Sequence, residues 1–465
     1  MALRKNVVAA SPTPVVPVGP VAPGSFTRTV APFIPLAIPL LVGHSLLPSN
    51  RPTGTPTAVT QPSVPVAGPA STQPVQTTAR SSDEPENAPT PLLSNGSPVD
   101  WFFVFKFNTA SFPECSGGDQ RVCLFGGTKQ DYGKFSQQFA YASNTSPTLQ
   151  DGGVCVGDTT TDPVGATFAE VYNGHLYYVV WNDQFYGDPL ATKAEPAGHS
   201  KGMLAWDNNG NGLVLQVSTP SWPGSGSAHS PRQTDGNTLG CVKDNDVKVS
   251  QHFFGLKLNK DDVVQVLKAL ENSSVVTGPS KLEIVNNGGP PDIQALAAGL
   301  GKISKSTTVT KVALSSRALL ISKPSDLPVP PWQMVSALLG GEPLRVASWW
   351  TKPEIPSTTE STTIGCWDQS LGKPGAVEIA TSGFWEGKTI GLQGMDEPQG
   401  NHAKVGVSTG THPYVILGDM NQQGSIDGDC KSSQNGRGGL FYVLDDPKLY
   451  ASVSGLLKGD SALPK

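Results

Sequence analysis

An abrupt change of composition near residue 98 sets the first limit on what this chain can fold into. Every Trp, Tyr and Cys lies beyond residue 98, whereas nineteen of the 42 prolines precede residue 99. A segment with so few aromatic residues buries too little apolar surface to offset the entropy of ordering its backbone. We therefore expect residues 1–97, rich in Pro, Ala, Val and Thr, to form a disordered tail, and a folded body to begin at Pro98.

Strand-like and helix-like segments alternate through the body, which predicts an α/β fold of mixed sheets flanked by helices. Aromatic or β-branched runs indicate strands in "VDWFFVFKF" (99–107), "SKGMLAWDNNGNGLVLQVST" (200–219, two strands and a turn), "LRVASWWTK" (344–352), "GAVEIAT" (375–381), "AKVGVS" (403–408) and "PYVILGDM" (413–420). We expect "ATFAEVYNGHLYYVVWNDQ" (166–184) to be a hairpin that turns at Asn173-Gly174. Apolar spacing with flanking Pro or Gly predicts helices at 260–274, 290–300 and 330–341.

The two parts of the body have parallel contents, which indicates an internal duplication. Each part has a Trp-containing segment that ends in Lys, "DWFFVFK" (100–106) and "SWWTK" (348–352). Each later has a His-x-Lys that leads into a strand, a Gly-containing turn and a second strand. We predict two pseudo-symmetric halves, residues 98–275 and 276–465, with one His-x-Lys in each.

Net charge and cysteine content restrict the pH range and the redox compartment in which the protein is expected to work. A net charge of −5 and a pI of about 5.8 disfavour polyanion binding at neutral pH but permit it in acid, where histidines gain charge. The six cysteines have no zinc-type spacing. We expect no metal and no cofactor, because the lysines of the two His-x-Lys motifs can perform a metal ion's electrostatic task. Their even number favours disulfides, for which we expect Cys155–Cys241 and Cys366–Cys430; buried thiols are the alternative.

Two further patterns give only weak support, one for a calcium site and the other for a membrane span or signal peptide. "DNNGNG" (207–212) opens like a calcium loop, but Ser218 stands where a bidentate Glu is needed, so a hairpin turn is favoured. The most apolar run, 33–47, is broken by prolines and indicates neither a membrane span nor a clear signal peptide. The cysteines nevertheless favour secretion or an acidic compartment.

The His-x-Lys pair carries the chemistry. In a strand, residues two apart project from the same face, so His199 with Lys201, and His402 with Lys404, can each point into one cleft. Two ammonium groups would neutralise the non-bridging oxygens of a phosphodiester. One imidazole would attack phosphorus while the other protonates the leaving oxygen, a division favoured below neutral pH.

Several blocks around these motifs resemble deoxyribonuclease II. They occur in that family's order across about 350 residues: "VDWFFVFK" (99–106), "VVWNDQ" (179–184), "GHSKGMLAWDNNGNGLVLQVSTPSWP" (198–223), "NHAKVGVSTGTHPYVILGDMN" (401–421) and "GRGG" (436–439). The resemblance implies two phospholipase-D-like halves and a metal-independent acid endonuclease that forms a phosphohistidine and leaves 3′-phosphate and 5′-hydroxyl ends. It implies that His199, Lys201, His402 and Lys404 are catalytic, with His199 as the nucleophile and His402 as the general acid. Asn421 and Arg437 are expected to bind the DNA substrate.

The chain departs from related patterns at three points. Where the phospholipase D signature has Asp five residues after Lys, this chain has Trp206 and Thr409, a loss that deoxyribonuclease II proteins share. Val217 stands where animal members carry a third His, which puts a role for that His in doubt. The family's cysteines near "GDMN" are absent, with Ile416 in place of one, so the disulfide pattern must differ.

Two other functions stay open at this point. A phosphodiesterase of the same superfamily could cleave lipid or another diester, although no amphipathic membrane-facing stretch favours it. An inactive scaffold could instead recruit partners through its proline-rich tail. We expect no membrane association, and a homodimer is left open.

Overall fold

Two antiparallel-rich sheets form the part of the chain that the computed structural model describes. Those residues are 88–113, 115, 123–126, 136–157, 159–185, 190, 196–232, 237–239 and 247–464, and they fall in one compact unit, Ala79–Lys465. Residues 1–87 of the predicted tail lie outside them. No helix in the described part is long and apolar enough to cross a membrane.

The first sheet has eight strands. They are β1 (Trp101–Lys106), β2 (Phe139–Ser143), β3 (Ser146–Asp151), β4 (Tyr177–Asn182), β5 (Lys201–Trp206), β6 (Gly212–Val217), β7 (Gln251–Leu258) and β8 (Val285–Asn286). Their spatial order is β3-β2-β1-β7-β6-β5-β4-β8. The strand predicted at 99–107 and the strand pair predicted at 200–219 are thereby confirmed. Asp207 accepts hydrogen bonds from the amides of Asn209 and Asn211 in the β5–β6 connection, which is the favoured hairpin turn.

The second sheet has seven strands, with a separate hairpin beside it. In chain order the elements are β9 (Thr310–Ala313), β10 (Leu319–Lys323), β11 (Leu344–Ala347), β12 (Val377–Ile379), the hairpin β13 (Ser382–Trp385) and β14 (Lys388–Gly391), β15 (Val405–Ser408), β16 (Tyr414–Gly418) and β17 (Gly439–Asp445). The sheet order is β12-β11-β15-β16-β17-β10-β9. Phe254 of β7 and Tyr442 of β17 have ring centroids 5.4 Å apart, so the two sheets share a core along these strands.

Five α-helices complete the described part of the body. They are α1 (Pro163–Tyr172), α2 (Lys260–Asn272), α3 (Pro291–Gly299), α4 (Pro331–Leu338) and α5 (Pro447–Leu456). The three predicted helices are confirmed as α2, α3 and α4. The hairpin predicted at 166–184 is wrong, because α1 occupies its first part. Asp162 caps that helix, and Pro163 fits the first helical position, where no amide donor is needed.

The order of elements repeats between the halves. In the first half the chain runs β1, α1, β4, β5, β6, β7, α2; in the second it runs β10, α4, β11, β15, β16, β17, α5. The matching strands also have the same spatial order, β1-β7-β6-β5-β4 and β10-β17-β16-β15-β11. The counterpart of "DWFFVFK" is therefore β10, which ends in Lys323, and not "SWWTK" after β11. The boundary at residue 275 stays a prediction.

The disulfides differ in part from expectation. Cys366 pairs with Cys430 as predicted. The pairing of Cys155 with Cys241 is wrong, because Cys155 bonds to Cys115. Cys123 is also disulfide-bonded, while Cys241 lies outside the described residues.

Candidate active site

Both His-x-Lys motifs lie where the chain enters equivalent strands. Lys201 is the first residue of β5, with His199 two residues before it, while His402 and Lys404 directly precede β15. All four side chains belong to residues that are at most 8% exposed. The motifs thus lie at the N-terminal ends of strands that have a neighbour on both sides, and not in the middle of a strand.

Each motif is hydrogen-bonded to the other half of the body. The His199 amide donates to the carbonyl of Gly438, and the His402 amide donates to the carbonyl of Ser250, both at 2.8 Å. Gly438 directly precedes β17 and Ser250 directly precedes β7, which are equivalent strands. The two hydrogen bonds between the halves are therefore equivalent by the internal repeat, and they bring the two motifs close together.

The ring of His199 has a defined orientation. Its Nδ1 lies 2.8 Å from the backbone oxygen of Asp419, so Nδ1 carries the proton and Nε2 keeps the lone pair in the neutral ring. Burial lowers the pKa of His199 well below its ordinary value; the Lys201 charge lowers it further, and Asp183 opposes both. A neutral imidazole with a free Nε2 lone pair has the form that a nucleophile needs.

A buried ion-pair network holds the first motif. Lys201 Nζ lies 2.5 Å from Asp183 Oδ1, and Arg437 Nη2 lies 2.8 Å from Asp183 Oδ2. Burial raises the pKa of Asp183, but Lys201, His199 and Arg437 outweigh this and hold it far below the ordinary value. Arg437 also donates to the carbonyls of Ala197 and Gly198, at 2.9 and 2.8 Å. The structure thus places Arg437 as an anchor for the segment that leads into His199.

His402 has different neighbours. Its ring stands edge-on to Trp349, with centroids 4.3 Å apart. Its Nε2 lies 3.4 Å from Oδ1 of the exposed Asp396. Burial lowers the pKa of His402 to about 4, Lys404 adds to that effect, and the Asp396 carboxylate opposes it.

A third histidine lies beside the second motif. His252, fully buried on β7, accepts the amide of Lys404 at its Nδ1, at 3.2 Å. Its pKa is lowered to about 3, chiefly by burial and also by Lys404. Position 217, where related proteins were expected to carry a third histidine, lies on β6 and pairs with Phe253. Successive residues of a strand face opposite sides of the sheet, so His252 does not stand in for a histidine at that position.

The segment after β16 carries two further polar groups. The carboxylate of Asp419 accepts from the Leu440 amide and from Gln216 Nε2, at 3.0 and 3.1 Å, and burial raises its pKa to about 7. Asn421 donates from Nδ2 to Gln423 and accepts nothing at its buried Oδ1 within the described part of the chain. Its role in substrate binding stays a prediction.

The four motif residues act on one another electrostatically. Lys404 of the second motif lowers the pKa of His199, and Lys201 of the first motif lowers that of His402. Asp183, Asp419 and His252 were not predicted from the sequence, although the first two lie inside the blocks "VVWNDQ" and "GDMN" that carry the family resemblance. Within the described residues, no group of three or more His, Cys, Asp or Glu is placed to hold a metal ion.

Comparison with known proteins identifies the family. The sequence profile described as deoxyribonuclease II matches residues 90–459, a span that includes both sheets and both motifs. The chain belongs to the deoxyribonuclease II family.

Curated relatives in this family share part of their length with the chain. Deoxyribonuclease-2-alpha of Rattus norvegicus is 33% identical over 158 residues, which cover 32% of this chain and 39% of that protein. The Bos taurus and Mus musculus proteins of the same name are each 31% identical over 156 residues, again 32% of this chain. The matched segment spans about two fifths of each relative. The family assignment therefore rests on the profile across the whole body.

Proposed function

We propose that this protein is an acid endonuclease that cleaves DNA phosphodiester bonds without a metal ion. The observation that carries the proposal is the reciprocal attachment of the two motifs, in which each histidine amide bonds to the strand entry of the other half. Membership of the deoxyribonuclease II family and the names of its relatives support DNA as the substrate.

The proposed reaction has two steps. Nε2 of His199 attacks phosphorus and forms a P–N bond, while the P–O5′ bond breaks and His402 donates its proton to the departing oxygen. Water then attacks the phosphohistidine, His402 takes the water's proton, and the P–N bond breaks to release a 3′-phosphate. Lys201 and Lys404 neutralise the non-bridging oxygens in both steps, the electrostatic task that a metal ion performs elsewhere.

The acid requirement follows from His402. A general acid must be protonated, and burial holds the pKa of His402 at about 4. Its protonated fraction therefore falls about tenfold for each pH unit above that value. His199 meets the opposite requirement, because burial lowers its pKa well below the ordinary value and so favours the neutral ring.

Plasmid nicking between about pH 4 and pH 8 in excess EDTA tests the proposal, with product ends probed by phosphatase-dependent labelling. Cutting that peaks in acid, survives EDTA and leaves 3′-phosphates is expected. Loss of cutting with EDTA would overturn the metal-independent scheme. Release of a small diester or lipid headgroup in place of DNA cleavage would favour the related phosphodiesterase, and no turnover at any pH would favour the inactive scaffold.

Substitution of the motif histidines tests the assignment of roles. His199→Ala and His402→Ala should each reduce cutting by about a hundredfold or more with little change in melting temperature. The exposed His229 provides a matched control, and His229→Ala should cut as well as wild type. Full activity in either motif variant would exclude the two-histidine scheme.

A further inference from the structure

A second pair of lysines occupies equivalent positions in the two halves. Lys106 is the last residue of β1, and Lys323 is the last residue of its counterpart β10. Both residues are 0% exposed, although lysine is almost never fully buried unless its charge is satisfied. Neither belongs to the His-x-Lys motifs.

Both ammonium groups donate to backbone carbonyls. Lys106 Nζ lies 3.1 Å from the oxygen of Val247 and 2.7 Å from that of Val249. Lys323 Nζ lies 2.9 Å from the oxygen of Asn435 and 2.8 Å from that of Arg437. Lys106 also donates to the carbonyl of Phe107, and Lys323 to those of Pro324 and Leu327. In each half, therefore, two of the carbonyls that the lysine holds are two residues apart and lie just before the strand that follows.

The next residue in each held segment bonds to a motif histidine. Val249 is followed by Ser250, whose carbonyl accepts the His402 amide at 2.8 Å. Arg437 is followed by Gly438, whose carbonyl accepts the His199 amide at the same distance. In both halves, the carbonyl held by the lysine and the carbonyl that accepts the histidine amide belong to consecutive residues.

Adjacency along the backbone explains why this arrangement fixes the histidines. The carbonyl that each lysine holds belongs to the residue directly before the one whose carbonyl accepts the histidine amide, so the lysine restrains the peptide group next to that acceptor. Hydrogen bonds from a charged donor are stronger than neutral ones, and a buried ammonium that loses its acceptors is costly. The lysine therefore fixes the position of the backbone segment, and the segment satisfies the charge of the lysine.

We propose that Lys106 and Lys323 are positioning residues, Lys106 for His402 and Lys323 for His199. Each sets the carbonyl to which the histidine of the other motif is attached. The inference rests on the proposed function, since it assigns one lysine to the proposed nucleophile and the other to the proposed general acid. It also predicts that their loss has unequal consequences.

The experiment compares Lys106→Met and Lys323→Met on two diesters. One is a dinucleotide, whose alkoxide leaving group needs a proton; the other is a thymidine 3′-(p-nitrophenyl phosphate), whose leaving group does not. Rates are compared in the first turnover, before the phosphohistidine is hydrolysed, because His402 also takes the proton of the attacking water in that later step. Lys106→Met displaces the general acid, so it should lower first-turnover cleavage of the dinucleotide by about a hundredfold and that of the aryl ester by less than about tenfold. Lys323→Met displaces the nucleophile, so it should lower both rates by a similar factor.

Controls separate positioning from stability. Val104→Ala and Ile321→Ala remove buried methyl groups two residues before each lysine on the same strands, and should lower the melting temperature without the substrate split. If a methionine variant fails to fold, Lys106→Arg and Lys323→Arg keep the charge but displace the donor. Lys106→Arg should then show the substrate split at smaller size, and Lys323→Arg a smaller loss that is similar on both substrates. Equal losses on both substrates for all four variants, or losses that track melting temperature, would overturn the inference. If wild type and His199→Ala both fail to cleave either substrate, the proposed function falls and the inference falls with it.

Discussion

Two imidazoles at equivalent positions of the repeat have different neighbours. Nδ1 of His199 donates to the Asp419 carbonyl, which leaves its Nε2 lone pair available. Nε2 of His402 instead lies 3.4 Å from the carboxylate of Asp396, a group that favours its protonated form. This asymmetry at the residue scale supports His199 as the proposed nucleophile and His402 as the proposed acid.

Replacement of Asp396 tests that asymmetry. Because the carboxylate raises the pKa of His402, Asp396→Asn should lower that pKa below about 4. The protonated acid would then be lost at lower pH, so the fall of kcat on the alkaline side of the optimum should move to lower pH. The neighbouring exposed Glu397→Gln is the control, and its profile should match wild type. An unshifted pH profile of kcat in Asp396→Asn would show that Asp396 does not raise the pKa of His402.

Asp183 is the centre of the buried network around Lys201 and Arg437. Asp183→Asn leaves two buried cations without their carboxylate, which should cost about 3–5 kcal/mol of unfolding free energy. DNA cleavage should fall as well, because Lys201 and the segment held by Arg437 lose their positions. Urea denaturation measures the first effect. Asp292→Asn, which breaks the exposed pair with Lys260, should change stability little, and a similar loss in both variants would contradict the network's importance.

At the element scale, helix α1 shows how a start signal outweighs strand propensity. The aromatic and β-branched residues of 166–184 favour strands, yet Asp162 accepts the amides of Val164 and Gly165 at 3.0 and 2.9 Å and begins a helix. The Asn173-Gly174 pair then ends that helix, where Asn173 is the C-cap, and does not form a hairpin turn. The same dipeptide serves either purpose, so the residues before Ala166 decide the outcome.

The cap of α1 also predicts a pH effect on stability. Burial raises the pKa of Asp162 from 3.8 to about 7, so the folded state binds a proton that the unfolded state has lost between these values. The contribution of Asp162 to the free energy of unfolding is complete below about pH 4, and it declines by about 1.4 kcal/mol per pH unit until the pH passes 7. Asp162→Asn keeps an accepting oxygen and removes this decline. Wild type and variant should therefore diverge in unfolding free energy from pH 4 to pH 8, with the variant gaining; parallel curves would contradict the shift.

At the scale of the whole molecule, the candidate site exists only because the two halves join. Gly438 and Ser250 each accept from the histidine of the other half, and the rings of Phe254 and Tyr442 pack between the sheets. Every contact that defines the site lies within residues 90–459, the span of the family match.

Removal of residues 1–87 is therefore expected to leave catalysis intact. A chain that begins at residue 88 should nick plasmid DNA at acid pH within about threefold of the full chain, because both motifs and both sheets remain. The same assay with His199→Ala in the shortened chain is the control. A large loss of cutting at an unchanged melting temperature would assign the tail a part in binding DNA or a partner.

Much of the architecture follows from the sequence by itself. Local patterns are sufficient for β1, for the β5–β6 hairpin and for helices α2 to α4, because their periodicity and end signals lie within about fifteen residues. The His-x-Lys pair and the blocks around it also predict the family, since residue order is all that such a match requires.

Only the tertiary structure decided how those motifs are held. The partners of Lys201 and Lys404 in the folded protein, Asp183 and His252, lie 18 and 152 residues away along the chain. Lys106 and Lys323 reach carbonyls 141 to 143 and 112 to 114 residues away. No periodicity records such contacts, because they depend on which strands lie side by side and on the burial that makes each charge need a partner.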